Sequence, residues 1–176
     1  MIRSLIATIA LGTLTAAPAQ AIEQITTARA IDIGVPAPLA RAVEATGVPV
    51  LDGAGSPICE IKNGAVPYAF YNYKHNAILV CTNNGTTPEK FVQSYTHEAV
   101  HLAQDCRSGL GDLTLYPGSE AYIRNLISRL SPELAQNIRD VYDEEDYAVE
   151  VEAFSFQDRP LEVARTLSKV CPVASI

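Results

Sequence analysis

The sequence predicts an α+β fold, a small antiparallel sheet followed by a mostly α-helical part. Three observations carry this. Short apolar and aromatic runs, separated by turn residues, fill positions 58–82. From Glu89 to Cys106 there is neither glycine nor proline, and Phe91, Tyr95, Ala99 and Leu102 recur at helical spacing. Helical periods then return between Glu120 and Lys169.

The chain opens on a segment that is not expected to join the fold. Arg3 gives a positive start, Leu5 to Ala17 is apolar or small, and Ala19-Gln20-Ala21 fits a small-x-small cleavage site. Residues 1–21 thus read as a secretory signal peptide, too short for a membrane span. Removing these 21 residues from 176 leaves 155, one domain's worth, and the loss of Arg3 takes the net charge from −7 to −8. Such an acidic chain is a poor partner for nucleic acid or anionic membranes. After signal cleavage no apolar run is long enough for stable membrane insertion. The oligomeric state is not encoded in any pattern here.

Residues 22–56 form a preamble with a short helix over Pro38–Thr46, ended by Gly47 and Pro49, and a loop over Asp52–Pro57. Three strands are expected next: Ile58–Ile61, Tyr68–Tyr73 and Ala77–Cys81, the last two joined by a turn at Lys74-His75-Asn76. Thr82–Thr86 is the loop to the next helix. There Thr87 suits the N-cap, Pro88 the first helical position, and Glu89 the dipole in the first turn. Ser108–Asp112 breaks that helix. Glu120–Leu130 is helical in period. Ser131-Pro132-Glu133 starts another helix whose pattern continues to about Gln157, with an interruption at Asp143. A last helix covers Leu161–Lys169.

The four cysteines, Cys59, Cys81, Cys106 and Cys171, follow the export signal, and an even count there predicts two disulfides. Three pairings are open. A bridge at Cys106 would pin the end of the long helix.

That helix contains His97-Glu98-Ala99-Val100-His101, the His-Glu-x-x-His pattern of zinc peptidases. Residues four apart share one helical face, so both imidazoles can reach one Zn2+ ion. Glu98 stands beside the metal rather than on it, placed to take a proton from a water. A catalytic zinc needs a third protein ligand. The extension to x-x-Gly-x-x-His is excluded, because Gln104 and Arg107 occupy the glycine and histidine positions. The remaining His75 lies in a turn. A carboxylate is left, and the best ones are Glu150 and Glu152, set among apolar residues in Tyr147–Phe156. A buried carboxylate demands a partner, and a divalent cation is one. The two stand two residues apart and point in different directions, so one of them faces the metal. The run Asp143–Asp146 reads as a solvated face.

The segments His97–His101 and Glu150–Phe156 together resemble gluzincin metallopeptidases, in which a helix bearing Glu-x-x-Ala, often Glu-x-Glu-Ala, follows the His-Glu-x-x-His helix. The resemblance implies a zincin-like domain over 22–176, with Glu150 in the ligand position and Phe156 in the aromatic one. Phe154 departs from the Asp or Asn that often supports the ligands. On this reading the chain is a secreted or periplasmic zinc metallopeptidase acting on peptide or protein substrates, with metal ligands His97, His101 and Glu150 and general base Glu98. Tyr95, His75, Tyr142 and Tyr147 are each able to stabilise the oxyanion. Tyr68, Tyr71 and Tyr73 line a substrate cleft or pack on the sheet. Two other classes stay open: a non-catalytic zinc-binding domain, and a disulfide-stapled binding module.

Overall fold

The computed structural model describes residues 23–61, 66–111 and 114–171. The expected signal peptide, residues 1–21, lies outside them. Two short helices come first, α1 (Thr27–Ile33) and α2 (Ala37–Ala45). Thr26 caps α1 by accepting the Arg29 N–H, and Gly34 ends it at φ 124°. α2 matches the helix expected in the preamble. α1, seven residues long, is too short for its periodicity to be read.

Three strands form one sheet in the order β1 (Val50–Asp52), β3 (Ala77–Val80), β2 (Ala69–Asn72). β3 is central and fully buried, so its run Ala-Ile-Leu-Val is apolar throughout. β2 pairs with it antiparallel, Tyr71 opposite Ile78, through the expected turn. β1 pairs parallel, Val50 opposite Ile78, so the sheet is mixed rather than wholly antiparallel. The strand expected at Ile58–Ile61 is instead a 3₁₀ turn over Pro57–Cys59. Pro57 fixes φ at its first position, and Cys59 is tied to Cys81 just after β3.

Helix α3 (Pro88–Ser108) is the axis of the molecule. Thr87 caps it as expected, accepting the Lys90 N–H at 3.3 Å. Every residue from Tyr95 to Cys106 is buried, because α3 has the sheet on one side and two later helices on the others. Four helices follow, α4 (Glu120–Ile127), α5 (Pro132–Val141), α6 (Glu144–Phe156) and α7 (Pro160–Val170), and the two against α3 are α6 and α7. The interruption at Asp143 is real: Tyr142 leaves the helical region and Asp143 becomes the N-cap of α6. The acidic run Asp143–Asp146 is exposed, at the helix end where carboxylates are favoured. The main core gathers residues of α1–α3, α7 and the sheet; a second cluster, Ile123, Leu126, Ile138 and Val151, seals α4 and α5 onto α6.

Two disulfides are present, Cys59–Cys81 and Cys106–Cys171. The second joins the last turn of α3 to the end of α7. Paired cysteines fit an oxidising compartment. Among the described residues no helix is long and apolar enough to cross a membrane.

Candidate metal centre

His97 and His101 leave α3 one turn apart, with their Nε2 atoms 3.2 Å from each other and ring planes 75° apart. α6 lies along α3, and its wholly buried Ala153 belongs to the same core as Val100 and Ala103 of α3. From it Glu150 reaches the histidines: Oε2 stands 3.3 Å from His97 Nε2, and Oε1 3.4 Å from His101 Nε2. Three atoms at the ~2.0–2.1 Å bond lengths of tetrahedral zinc stand roughly 3.3–3.4 Å apart. The two nitrogens, and each nitrogen with its nearer Glu150 oxygen, stand at about this separation, and one atom from each residue lies within 4.8 Å of the others, so the group suits one small cation.

Glu150 Oε2 supports the same fit. It is buried, and apart from the long 3.3 Å contact with His97 Nε2 it has no well-formed hydrogen bond, a costly condition for a carboxylate oxygen. His97, His101 and Glu150 thus form a group able to hold a metal ion. Burial resists charge on both sides of this cluster, yet the contact between partners wins. Burial lowers the pKa of His101, but its hydrogen bond to Glu150 and the charges of Glu150 and Glu98 lift it to about 9. Burial raises Glu150, and its hydrogen bonds to His101 and His97 bring it down to about 2. The cluster keeps a narrow opening to solvent, the side chains of His97 and Glu150 being 11% and 12% exposed.

The two imidazole rings are held from behind. His101 Nδ1 lies 2.8 Å from Gln104 Oε1. His97 packs edge-on against Phe154, ring centres 4.7 Å apart, so an aromatic ring orients it where a carboxylate or amide was the expected support. Glu152, the other candidate ligand, points elsewhere. Two residues along a helix turn a side chain by roughly 200°, and Glu152 is paired with Arg107 instead.

Glu98 is buried beside the histidines, and its Oε2 accepts the main-chain N–H of Tyr71 at 2.7 Å. Burial raises its pKa, and Glu150 adds to this against the opposing pull of His97 and His101. Of the four candidate oxyanion donors, Tyr142 is the one beside the cluster. Burial, then the charges of Glu150 and Glu98, push its pKa up. The Tyr147 hydroxyl accepts from Arg139. Tyr95 stacks on Phe91 and lines a separate cavity of about 310 Å³ with α2 and β1 residues. His75 is exposed in its turn. Of the cleft tyrosines, Tyr71 turns inward: its hydroxyl donates to Asp105 Oδ2 at 2.6 Å.

Sequence reasoning did not find Gln104 or Asp105 as members of this site, and it offered Tyr71 only as a cleft or sheet residue, not as the partner of Glu98 and Asp105. A signal existed for the first two. His97, His101 and Asp105 recur every four residues along one face, and Gln104 lies one turn beyond His101.

Comparison with family models, curated proteins and solved structures finds no match for this chain, so the centre is read from its own geometry.

Proposed function

We propose that the chain is a secreted zinc-dependent peptidase. The observation that carries this is the convergence of the two imidazole nitrogens, 3.2 Å apart, on the Glu150 carboxylate, each 3.3–3.4 Å from one of its oxygens, flanked on the same helix by the buried Glu98 carboxylate. Two imidazole nitrogens and one carboxylate oxygen are a zinc-type donor set, and the resemblance to gluzincins in the two ligand segments points the same way. When bound, the ion supplies Lewis acidity that acidifies water and polarises a peptide carbonyl.

The residues of the chain account for the rest. Burial makes Glu98 a stronger proton acceptor than an ordinary carboxylate. The Tyr71 N–H holds Oε2, which leaves Oε1 to take the proton of the attacking water and return it to the leaving amine. The Tyr142 hydroxyl, kept protonated by burial and its acidic neighbours, donates to the developing oxyanion. Two disulfides suit export.

One observation favours a second reading. Glu98 is only 7% exposed, which suits a non-catalytic metal-binding domain as well as a site closed until substrate arrives. The variant Glu98→Gln separates the two. Under the peptidase reading, wild type takes up one zinc per chain and cleaves members of a broad peptide library. Glu98→Gln keeps the zinc and loses cleavage by about 10²–10⁴-fold. Zinc uptake with no cleavage by wild type leaves the non-catalytic reading. No uptake sinks both.

A further inference from the structure

Glu152 is a nearly sealed carboxylate, 2% exposed, and both its oxygens are satisfied. Arg107 grips it with two bonds of 2.8 Å, and Oε2 also accepts the Gly118 N–H at 3.1 Å and the Gln104 amide at 3.2 Å. Gln104 is itself wholly buried. Its amide nitrogen donates to two acceptors, the Val149 carbonyl at 2.9 Å and Glu152 Oε2. Turning the amide over would set its oxygen against both. Its Oε1 is therefore fixed towards His101 Nδ1, and since Oε1 only accepts, Nδ1 carries the proton. A neutral imidazole protonated at Nδ1 has its lone pair on Nε2, the atom that faces His97 and Glu150.

We infer that Glu152, locked by Arg107, anchors a relay through Gln104 that fixes the tautomer and ring plane of His101 for metal binding. The proposal rests on the metal-binding reading above. Glu152 is then a positioning residue two places from a ligand, and its charge acts on the centre only through the Gln104 amide. Metal-ligating histidines commonly need such a partner behind them. Here a neutral amide makes the direct contact and the buried ion pair holds that amide in place.

The test uses Gln104→Met, which keeps the volume, Glu152→Gln, which keeps a group for Arg107, and the two together. Zinc affinity is measured by competition with a chromophoric chelator, and folding by circular dichroism. Gln104→Met is expected to weaken zinc binding by about 10–100-fold. Glu152→Gln weakens it less, and adds nothing in the Gln104→Met background. The imidazole ¹⁵N shifts of His101, followed in chelator-treated protein up the pH scale until the ring is neutral, report the Nδ1–H tautomer in wild type and a mixture in Gln104→Met. A role confined to stability would lower the unfolding midpoint and move neither the tautomer nor the affinity. Unchanged affinity in Gln104→Met overturns the relay, as do additive losses in the double variant. Abolished binding in Glu152→Gln alone also overturns it, since Glu152 would then be a ligand. If wild type takes up no zinc, the metal reading fails by itself, and an Nε2–H tautomer in wild type removes the relay too.

Discussion

Tyr71 holds the site helix at two points: its main-chain N–H donates to Glu98 at 2.7 Å and its hydroxyl to Asp105 at 2.6 Å. One strand residue thereby sets β2 against α3 and fixes the carboxylate next to the histidines.

Tyr71→Phe removes only the hydroxyl. Asp105 is wholly buried, and its Oδ2 loses its donor. A buried acceptor left unsatisfied costs about 1–3 kcal/mol, more when charged. Urea unfolding should show a loss of at least that size. Zinc affinity should hold, because the Tyr71 N–H to Glu98 remains. An unchanged midpoint would mean that the hydroxyl contact contributes nothing.

Glu150→Ala and Glu152→Ala should differ in kind. The first removes a donor atom and should weaken zinc binding by more than the ~100-fold that a supporting residue costs. In chelated protein it should also let the His101 pKa fall from about 9, since burial alone lowers it. The second leaves Arg107 without its carboxylate, should cost stability, and should weaken zinc binding only by the smaller amount expected of a positioning residue. Calorimetric zinc titration, with NMR titration of His101, distinguishes them; equal losses of zinc from both would contradict the ligand set.

The pH dependence of the chelated protein has a definite sign. His101 is raised from 6.5 to about 9, so its contribution is complete below about 6.5 and fades as pH rises through 9. Glu150 is lowered from 4.5 to about 2, so its contribution is present above about 4.5 and lost as pH falls through 2. The two shifts describe one ion pair, whose stabilisation is complete between about pH 4.5 and 6.5. Glu98, raised by burial, contributes in the same direction, its share fading as pH rises above about 4.5. The Tm of chelated protein should therefore drop from pH 6.5 to 9. Zinc competes with the His101 proton, so its affinity should rise over the same interval. Parallel Tm curves with and without zinc would refute this.

Each disulfide should be worth a few kcal/mol, and unequally. Cys106–Cys171 spans 65 residues and Cys59–Cys81 spans 22. Chain entropy assigns them about 4 and about 3 kcal/mol. Paired Cys→Ala variants compared in urea should preserve that order. The reverse order would point to strain or to residual structure in the unfolded chain.

What the sequence determined was local. Thr87 and Pro88 started α3, the unbroken run to Cys106 carried it, and four-residue spacing put His97 and His101 on one face. Ser131 and Pro132 started α5, and Asp143 ended the pattern where α6 begins. These are capping and periodicity effects, complete within one or two turns of chain. Tertiary structure decided what depends on distant partners. Glu150 and Glu152 have equal local claims to the histidines. Packing of α6 on α3 turned one towards them and gave the other to Arg107. Cysteine pairing was open for the same reason. β1, three residues long, was not expected: its residues fall in the preamble and at the start of the loop read over Asp52–Pro57, and it is a strand only because β3 lies beside it. Spacing along the chain selects a face; what stands opposite that face is settled by helices and strands arriving from elsewhere.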